Sequence, residues 1–166
     1  MKSLFESSRL YFREFMIEDA EGLYLLNLDP EVIRYTGDPP FESITAAKHF
    51  IENYDHYQLY GFGRWAMIRK EDDAFLGWCG IKYNEDKEID IGFRLMKKYW
   101  NRGYASEAAL ATINFSRSSL KINILVARAA KENIASLRVL EKLGFSYVNR
   151  VECHGIKDAM RFVLME

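Results

Sequence analysis

A short basic turn that leads into an alanine-rich helix is the segment of this sequence best suited to bind an anion. The residues Asn101-Arg102-Gly103-Tyr104-Ala105 lie between a predicted strand and a predicted helix over residues 105–115. The first N–H groups of a helix have no intrahelical partner and lie at the positive end of its dipole, where they attract phosphate. Gly103 lets the backbone approach such a group because it has no Cβ. The turn predicts an anion site, although a glycine before a helix is also common in ordinary turns.

The charged neighbours of this turn act in opposite directions. Lys97 and Lys98 strengthen the positive field, whereas Glu107 in the following helical turn weakens it if its side chain points inward. The segment lacks the three spaced glycines of a dinucleotide fingerprint and the Lys-Ser or Lys-Thr pair of a P-loop. Those two kinds of nucleotide site are therefore not predicted.

A second predicted helix start carries two side chains that suit hydrogen bonding. Asn133 is a good N-cap residue, and Ser136 follows one turn later. The simplest interpretation of this pair is a capping arrangement. Asn and Ser side chains at the mouth of a cleft are also able to hydrogen-bond an amide-bearing ligand, so both interpretations stay open.

Two carboxylates in a predicted strand are candidates for a general base. Glu88 and Asp90 alternate with Ile89 and Ile91, so both acidic side chains point to one face of the sheet. The alternative is that they are surface carboxylates that follow an acidic turn.

The remaining reactive and aromatic side chains have structural roles as their simplest interpretation. His49 and His56, predicted to share one helix, and His154 are alternative bases. Cys79 and Cys153 lie in no metal-spacing motif, so no metal site is predicted and both are expected to be inert core residues. Three aromatic residues fit either an acceptor pocket or the core: Tyr35, Trp65 and Trp78.

The hydrophobic periodicity predicts an α+β fold with one parallel step in its sheet. Three helices come first: residues 19–28, a short helix opened by Asp29-Pro30-Glu31, and a helix capped by Ser43. An antiparallel meander follows, and a strand–helix–strand–helix–strand succession ends the chain. The predicted strands span residues 9–14, 65–68, 75–83, 88–96, 121–127, 145–152 and 161–165, and the later helices span residues 105–115 and 133–143.

Length and charge favour one domain over residues 1–166. Lys and Arg number 23 against 24 Asp and Glu, so the net charge of −1 offers no basic field for nucleic acid or an anionic membrane. No apolar run approaches the roughly 20 residues of a membrane span, and the N-terminal residues lack the apolar core of a signal peptide. We therefore expect a cytoplasmic protein without nucleic-acid or membrane partners.

Together, the turn at Gly103 and the helix start at Asn133 resemble the acetyl-coenzyme A site of the GNAT superfamily of N-acetyltransferases. The N-terminal half is similar to the branch that includes the ribosomal-protein N-terminal acetyltransferases. The segments that carry this similarity are Ser8 to Arg13, Glu18-Asp19-Ala20, Asp29 to Val32, Trp65-Ala66, Leu76 to Gly80 and Gly155 to Asp158. The resemblance implies a mixed, mostly antiparallel sheet with helices on both faces, in which the strand before the turn bulges and splays from a parallel neighbour.

The resemblance also implies which residues bind acetyl-coenzyme A as cosubstrate. Asn133 is implied to bond the pantetheine arm, Ser136 to lie near the sulfur, and Lys142 or Arg138 to meet the adenosine phosphate, although both are equally compatible with solvated helix charges. The implied pantetheine strand is Phe93, Arg94, Leu95 and Met96, and the implied pyrophosphate turn is Arg102, Gly103, Tyr104, Ala105 and Ser106.

The sequence departs from the family pattern at three positions. Trp100 takes the place of a common Gln or Arg, and Lys97 replaces the usual Pro. Leu140 stands where many members have a Tyr that protonates the leaving thiolate, so the resemblance assigns no tyrosine as general acid here. A thiol with a pKa of roughly 8.5 leaves with weak assistance, and Ser136 is able to donate that proton or position a water.

The expected activity is acetyl transfer from acetyl-coenzyme A to a primary amine, which is either a protein N-terminus or a small molecule. Asp90, Glu88 and Ser136 are the expected catalytic residues, and the Leu95 N–H is the expected donor to the oxyanion. The alternative is an acyl-coenzyme A sensor without turnover, suggested by Leu140. The sequence leaves the acceptor and the oligomeric state, monomer or homodimer, open.

Overall fold

The computed structural model describes residues 2–165, and its centre is one eight-stranded sheet in the order β1-β2-β3-β4-β5-β6-β8-β7. Every neighbouring pair is antiparallel except β5 and β6, which are parallel. The strands are β1 Phe5–Glu6, β2 Leu10–Arg13, β3 Arg64–Arg69, β4 Phe75–Tyr83, β5 Ile89–Leu95, β6 Ile124–Ala129, β7 Ser146–Cys153 and β8 Ile156–Met165. The predicted α+β fold with one parallel step is confirmed.

Five α-helices and two 3-10 turns connect these strands. Ser43 caps α2 as predicted, because its hydroxyl accepts the Ala46 N–H at 3.0 Å. The helices are α1 Ala20–Leu28, α2 Ile44–Glu52, α3 His56–Tyr60, α4 Tyr104–Ser118 and α5 Ile134–Lys142, and the 3-10 turns are Ile17–Asp19 and Lys97–Tyr99. Within residues 2–165, the helices are too short or too polar to cross a bilayer.

Helices cover both faces of the sheet, and the alternation along β4 shows how. Cys79 points to the face covered by α4, where its sulfur lies 3.2 Å from the Thr112 hydroxyl. Trp78, its neighbour in the strand, points to the opposite face and packs with the apolar cluster of α1 and α2.

The structure corrects the prediction for the segment after α1. No second helix begins at Pro30; residues 29–36 form turns. The N–H groups of Val32 and Ile33 both bond to the Asp29 carbonyl, and the Asp29 side chain accepts the Glu31 N–H, so this hydrogen bonding closes one turn. Gly37, with a φ of 71°, then turns the chain away.

Three further boundaries differ from the predictions. Helix α2 ends at Glu52 and α3 begins at His56, so His49 and His56 lie on separate helices and not on one helix as predicted. Strand β6 begins three residues late because Lys121 has a φ of 60°, outside the extended region. Strand β8 begins at Ile156, because it pairs with β7 as a hairpin through the turn at His154 and Gly155.

The parallel strands β5 and β6 diverge almost as soon as they meet. They share a single registered pair, Asp90 opposite Val126, whereas β6 stays paired with β8 as far as Ala129. The implied splay is confirmed. The implied bulge is absent, since β4 and β5 stay in one register from Tyr83 opposite Ile89 to Gly77 opposite Leu95.

Candidate active site

A cleft of about 500 Å³ opens where β5 and β6 part. Its walls include Ile91, Gly92, Phe93 and Arg94 of β5 and Ala127, Arg128, Ala129 and Ala130 on the β6 side. Asn133, the N-cap of α5, also lines it, as do Ser136 and Leu140 of that helix. The cavity thus brings Phe93 and Arg94 of the implied pantetheine strand together with Asn133 and Ser136, whereas residues 102–106 of the implied pyrophosphate turn lie outside its lining.

The edge of β5 presents backbone groups to this gap. The Met96 N–H donates to the Leu76 carbonyl of β4 at 2.9 Å, and the register there is unbroken. Because successive backbone groups of a strand point to opposite sides, those of Phe93 and Leu95 point away from β4, into the gap. The Leu95 carbonyl accepts the Trp100 indole N–H at 2.9 Å, which gives Trp100 a defined role at its unusual position.

The turn at Gly103 forms an open, positively charged helix tip. Gly103 has a φ of 80°, a conformation that favours glycine, and immediately precedes α4. A Cβ placed there would have only one neighbour within 4 Å outside the adjoining residues, the Arg9 guanidinium at 3.4 Å. Arg102 is exposed beside it. The space beside Gly103 is therefore open apart from that guanidinium.

Arg9 and Glu107 form a salt bridge beside this tip, and the sequence did not predict it. The Arg9 guanidinium lies 4.2 Å from the centre of the Tyr104 ring. Glu107 accepts the Arg9 N–H at 2.8 Å, the Arg9 Nε at 2.7 Å and the Ser7 hydroxyl at 2.7 Å. Although burial alone raises the pKa of Glu107, these hydrogen bonds bring it below its ordinary value. The negative charge beside the turn is thus paired with Arg9.

The start of α5 has the capping geometry that its sequence predicts. The Asn133 Oδ1 accepts the Ser136 N–H at 3.3 Å, which leaves the Asn133 amide N–H groups to donate elsewhere. Arg138 and Lys142 are exposed and lie outside the cleft lining. Leu140 lines the cleft as an apolar residue.

The two candidate carboxylates have different positions, and arginines hold both. Asp90 is buried in the cleft wall, where it accepts Arg128 Nε at 2.9 Å and Arg64 Nη2 at 3.4 Å. Glu88 lies outside the cleft lining and pairs with Arg161, whose hydrogen bond lowers the pKa of Glu88. Glu88 is thereby a weaker base, because proton uptake gives up its attraction to Arg161.

The three histidines also separate. His154 lines the cleft from the β7–β8 turn. His56 accepts the Tyr83 N–H at 3.2 Å, and burial lowers its pKa. His49 is exposed on α2 and lies outside the cleft lining.

The aromatic and cysteine candidates divide between the core and the cleft. Tyr35 and Trp78 line the cleft, whereas Trp65 is a core residue. Cys79 is fully buried as expected, and burial raises the pKa of its thiol to about 11. Cys153 is buried but lines the cleft. Within residues 2–165, no group of three or more His, Cys, Asp or Glu side chains is placed to hold a metal ion.

Four cationic side chains of the cleft were missed as a group. Arg64, Lys82, Arg94 and Arg128 all line it. The alternation of residues along β5 already places Arg94 on the face of Asp90, so this signal was available in the sequence. The positions of Lys82, Arg64 and Arg128 follow only from strand pairing and strand order.

Comparison with known proteins agrees with this geometry. The Acetyltransferase (GNAT) domain family matches residues 9–146. The chain is 33% identical over 148 residues, 87% of its length and 83% of the relative's, to the uncharacterized N-acetyltransferase p20 of Bacillus licheniformis. A GNAT-family acetyltransferase structure from Bacillus anthracis matches with a TM-score of 0.81 and 26% identity over 97% of each chain.

A solved structure of RimL, a ribosomal L7/L12 alpha-N-protein acetyltransferase in complex with coenzyme A, has the same fold. Its TM-score is 0.83 at 15% identity, with 99% of this chain and 98% of that chain covered. The family match over most of the sequence and the relative at 33% identity carry the assignment. The chain belongs to the GNAT acetyltransferase family.

Proposed function

We propose that this protein transfers the acetyl group of acetyl-coenzyme A to a primary amine. Two observations together carry the proposal: the gap between β5 and β6, lined by Asn133 and Ser136, and the open helix tip at Gly103 that follows β5 in the chain. An extended thioester with a diphosphate at its far end suits such a pair of sites. The gap offers backbone groups to an amide-bearing arm, and the tip offers N–H groups to phosphate.

The residues that hold the cosubstrate in this proposal are those of the two walls. Phe93 and Leu95 bond the pantetheine arm through their backbones, and the Asn133 amide donates to it from α5. The turn Arg102, Gly103, Tyr104, Ala105 and Ser106 binds the diphosphate, with the Arg9 guanidinium beside it. Bound acetyl-coenzyme A supplies an activated acyl group; the protein supplies orientation and charge.

Two donors of the cleft act on the reacting groups. An N–H of the open β5 edge, at Phe93 or Leu95, donates to the thioester oxygen as negative charge develops there. Ser136 lies near the sulfur and donates to the leaving thiolate directly or through water. Ser136 thus takes the role of the tyrosine that many family members have at the position of Leu140.

The amine must lose a proton before it attacks. An α-amino group has a reference pKa of about 7.7–8.0, so much of it is neutral near pH 7.5 and a strong base is not required. We propose that Asp90 positions Arg64 and Arg128 through its ion pairs with them. Glu88 holds Arg161 in the same way outside the cleft. The proton then leaves through water in the cleft, beside His154.

Calorimetric titration with coenzyme A and acetyl-coenzyme A, together with a thiol-release assay on an amine panel, tests the proposal. We expect binding of both ligands at one site per chain and thiol release that depends on the amine. Absence of coenzyme A binding would overturn it.

Two observations favour a second function, a sensor that binds acyl-coenzyme A without turnover. Both candidate carboxylates are engaged by arginines, and the residue at position 140 is apolar. Tight binding with thiol release no faster than slow hydrolysis across the whole amine panel would support the sensor.

A further inference from the structure

We propose that the acceptor of this enzyme is a primary amine that also carries a carboxylate, bound through Lys82 on the cationic floor of the cleft. The cationic floor is the set Arg64, Lys82, Arg94 and Arg128. This inference rests on the proposed acetyl transfer and names its substrate class.

Strand register places three of these cations on one face of the sheet. Lys82 lies opposite Asp90, Trp78 opposite Arg94, and Arg64 opposite Gly80. Directly opposite residues project to the same face, and so do positions two apart along a strand. The side chains of Arg64, Lys82 and Arg94 therefore share the face that carries Asp90.

Glycine at two positions of this face leaves space for Arg64. A Cβ on Gly92 would lie 2.8 Å from the Arg64 guanidinium, and a Cβ on Gly80 would lie 2.2 Å from the Gly63 carbonyl. Arg64 thus lies flat across β5, with its guanidinium 5.0 Å from the Trp78 ring centre; that of Arg94 is 5.2 Å from the same ring. The floor is a packed layer and not a set of mobile surface charges.

The carboxylates that line the cleft already form ion pairs with its arginines. Asp90 is shared between Arg64 and Arg128, and Asp38 accepts Arg94 Nη2 at 2.7 Å. Glu85, an exposed residue outside the cleft lining, pairs with Arg128 as well. Four cations thus face two acids in the lining, an excess of two positive charges.

This pairing leaves Lys82 without a carboxylate partner among the described residues. Among residues 2–165, no carboxylate oxygen lies within 4.0 Å of its ammonium. Burial and the nearby Arg64 lower its pKa, and the attraction of Asp90 and Asp38 counters this only in part, so its charged form is incompletely compensated in the free protein. A bound carboxylate supplies that compensation, whereas a polyamine adds like charge.

The distances along β5 suit one molecule that carries both groups. Asp90, opposite Lys82, is three residues from Phe93, which corresponds to roughly 10 Å of strand. A lysine side chain directed along β5 toward Phe93 would cover part of that span. An amine at the open edge of Phe93 and its carboxylate at Lys82 would then be separated by a few bonds.

Matched acceptors test the proposal through the rate of coenzyme A thiol release. The first set is phenylalanine, phenylalanine amide and 2-phenylethylamine, which differ in the carboxylate. The second set is peptides with the same N-terminal residue followed by Asp, Asn or Lys, and spermidine represents polycations. We expect at least a tenfold higher kcat/KM for the carboxylate-bearing member; the set in which this appears tells whether the carboxylate belongs to a free amino acid or to a peptide.

Lys82 variants separate the proposed contact from a general field. We expect Lys82→Met to raise KM for the carboxylate-bearing acceptor and to remove its advantage, and Lys82→Arg to keep most of it. Lys87→Met, at an exposed position in the β4–β5 turn, is the matched control and should keep the preference. Unchanged coenzyme A affinity of Lys82→Met by calorimetry shows that the cofactor site is intact.

The outcomes distinguish this inference from the proposed function. Robust thiol release with equal rates for acidic, neutral and cationic acceptors, or a preference for spermidine, overturns the carboxylate proposal and leaves the acetyl transfer standing. Loss of the preference in Lys87→Met to the same extent as in Lys82→Met also overturns it. Absence of coenzyme A binding overturns the acetyl transfer itself.

Discussion

At the scale of single residues, Gly103 combines two properties that a substitution separates. It has a φ of 80°, and the space where its Cβ would lie borders only the Arg9 guanidinium. Any other residue there carries backbone strain, of about 1–2 kcal/mol, and also projects into the proposed phosphate site.

We expect Gly103→Val to lower coenzyme A affinity at least tenfold and to lower the melting temperature. Gly61→Val is the matched control, since Gly61 has a φ of 76° and a Cβ there meets nothing within 4 Å. The control should lose a similar amount of stability and keep its affinity. Equal affinity loss in both variants, measured by calorimetry, would show that strain and not occupation of the phosphate site is responsible.

Asp90 is a second residue whose role a substitution can decide. Its carboxylate is buried between two guanidiniums, so Asp90→Asn leaves Arg64 and Arg128 without their shared counter-ion. Breaking a buried ion pair costs about 3 kcal/mol or more. We therefore expect a large loss of unfolding free energy in urea.

Glu88→Gln is the control for this experiment, because Glu88 pairs with Arg161 at a more exposed position. Its loss should stay below about 1 kcal/mol. An Asp90→Asn variant that keeps wild-type stability, while its pH–rate profile loses an ionisation, would instead identify Asp90 as the general base.

At the scale of elements, Glu107 fastens the loop between β1 and β2 to the start of α4. Ser7 and Arg9 donate three hydrogen bonds to its carboxylate. We expect Glu107→Gln to destabilise the fold by about 1–2 kcal/mol, since hydrogen bonds to a charged group are among the stronger ones. Glu141→Gln, at an exposed position on α5, is the control and should change little.

The pH dependence of this effect has a definite sign. The pKa of Glu107 is lower in the folded protein than its ordinary value, so the carboxylate contributes stability above the unfolded pKa. This contribution is lost as the pH falls through the lowered folded pKa. Melting temperatures of wild type and Glu107→Gln should therefore converge as the pH falls below about 4. A constant difference at every pH would contradict the assignment.

The elements that carry the cofactor site were predictable because their signals are local. The strand before the turn, the Ala-rich helix and the cap at Asn133 each follow from periodicity and residue type within about fifteen residues. The starts of β6 and β8 were not predictable from local signals. The backbone at Lys121 decides where β6 begins, and hairpin pairing with β7 decides where β8 begins. The short α3 has no buried residue, so it leaves no apolar pattern to read.

The charge pairing in the cleft was not predictable from the sequence for a related reason. Asp90 meets Arg128 from 38 positions away and Arg64 from 26 positions away. Spacing along the chain carries no information about such contacts; the order β3-β4-β5-β6 creates them. The spacing of two carboxylates in a strand therefore predicts that their side chains share one face of the sheet. Which charged groups contact them there decides whether either acts as a base.

At the scale of the whole molecule, the proposed cosubstrate joins parts of the chain that the protein itself leaves apart. β5 and β6 share one registered pair, and the β5 edge and α5 meet around the cleft. A ligand that binds only the folded state stabilises it by about 2.7 kcal/mol at a hundredfold excess over Kd. For a chain of this size, each kcal/mol raises Tm by roughly 2–4 °C, so coenzyme A should raise Tm by about 5–10 °C. Adenosine, without the pantetheine arm and diphosphate, is the control and should leave Tm unchanged; an equal shift with adenosine would mean that the gap between β5 and β6 takes no part in binding.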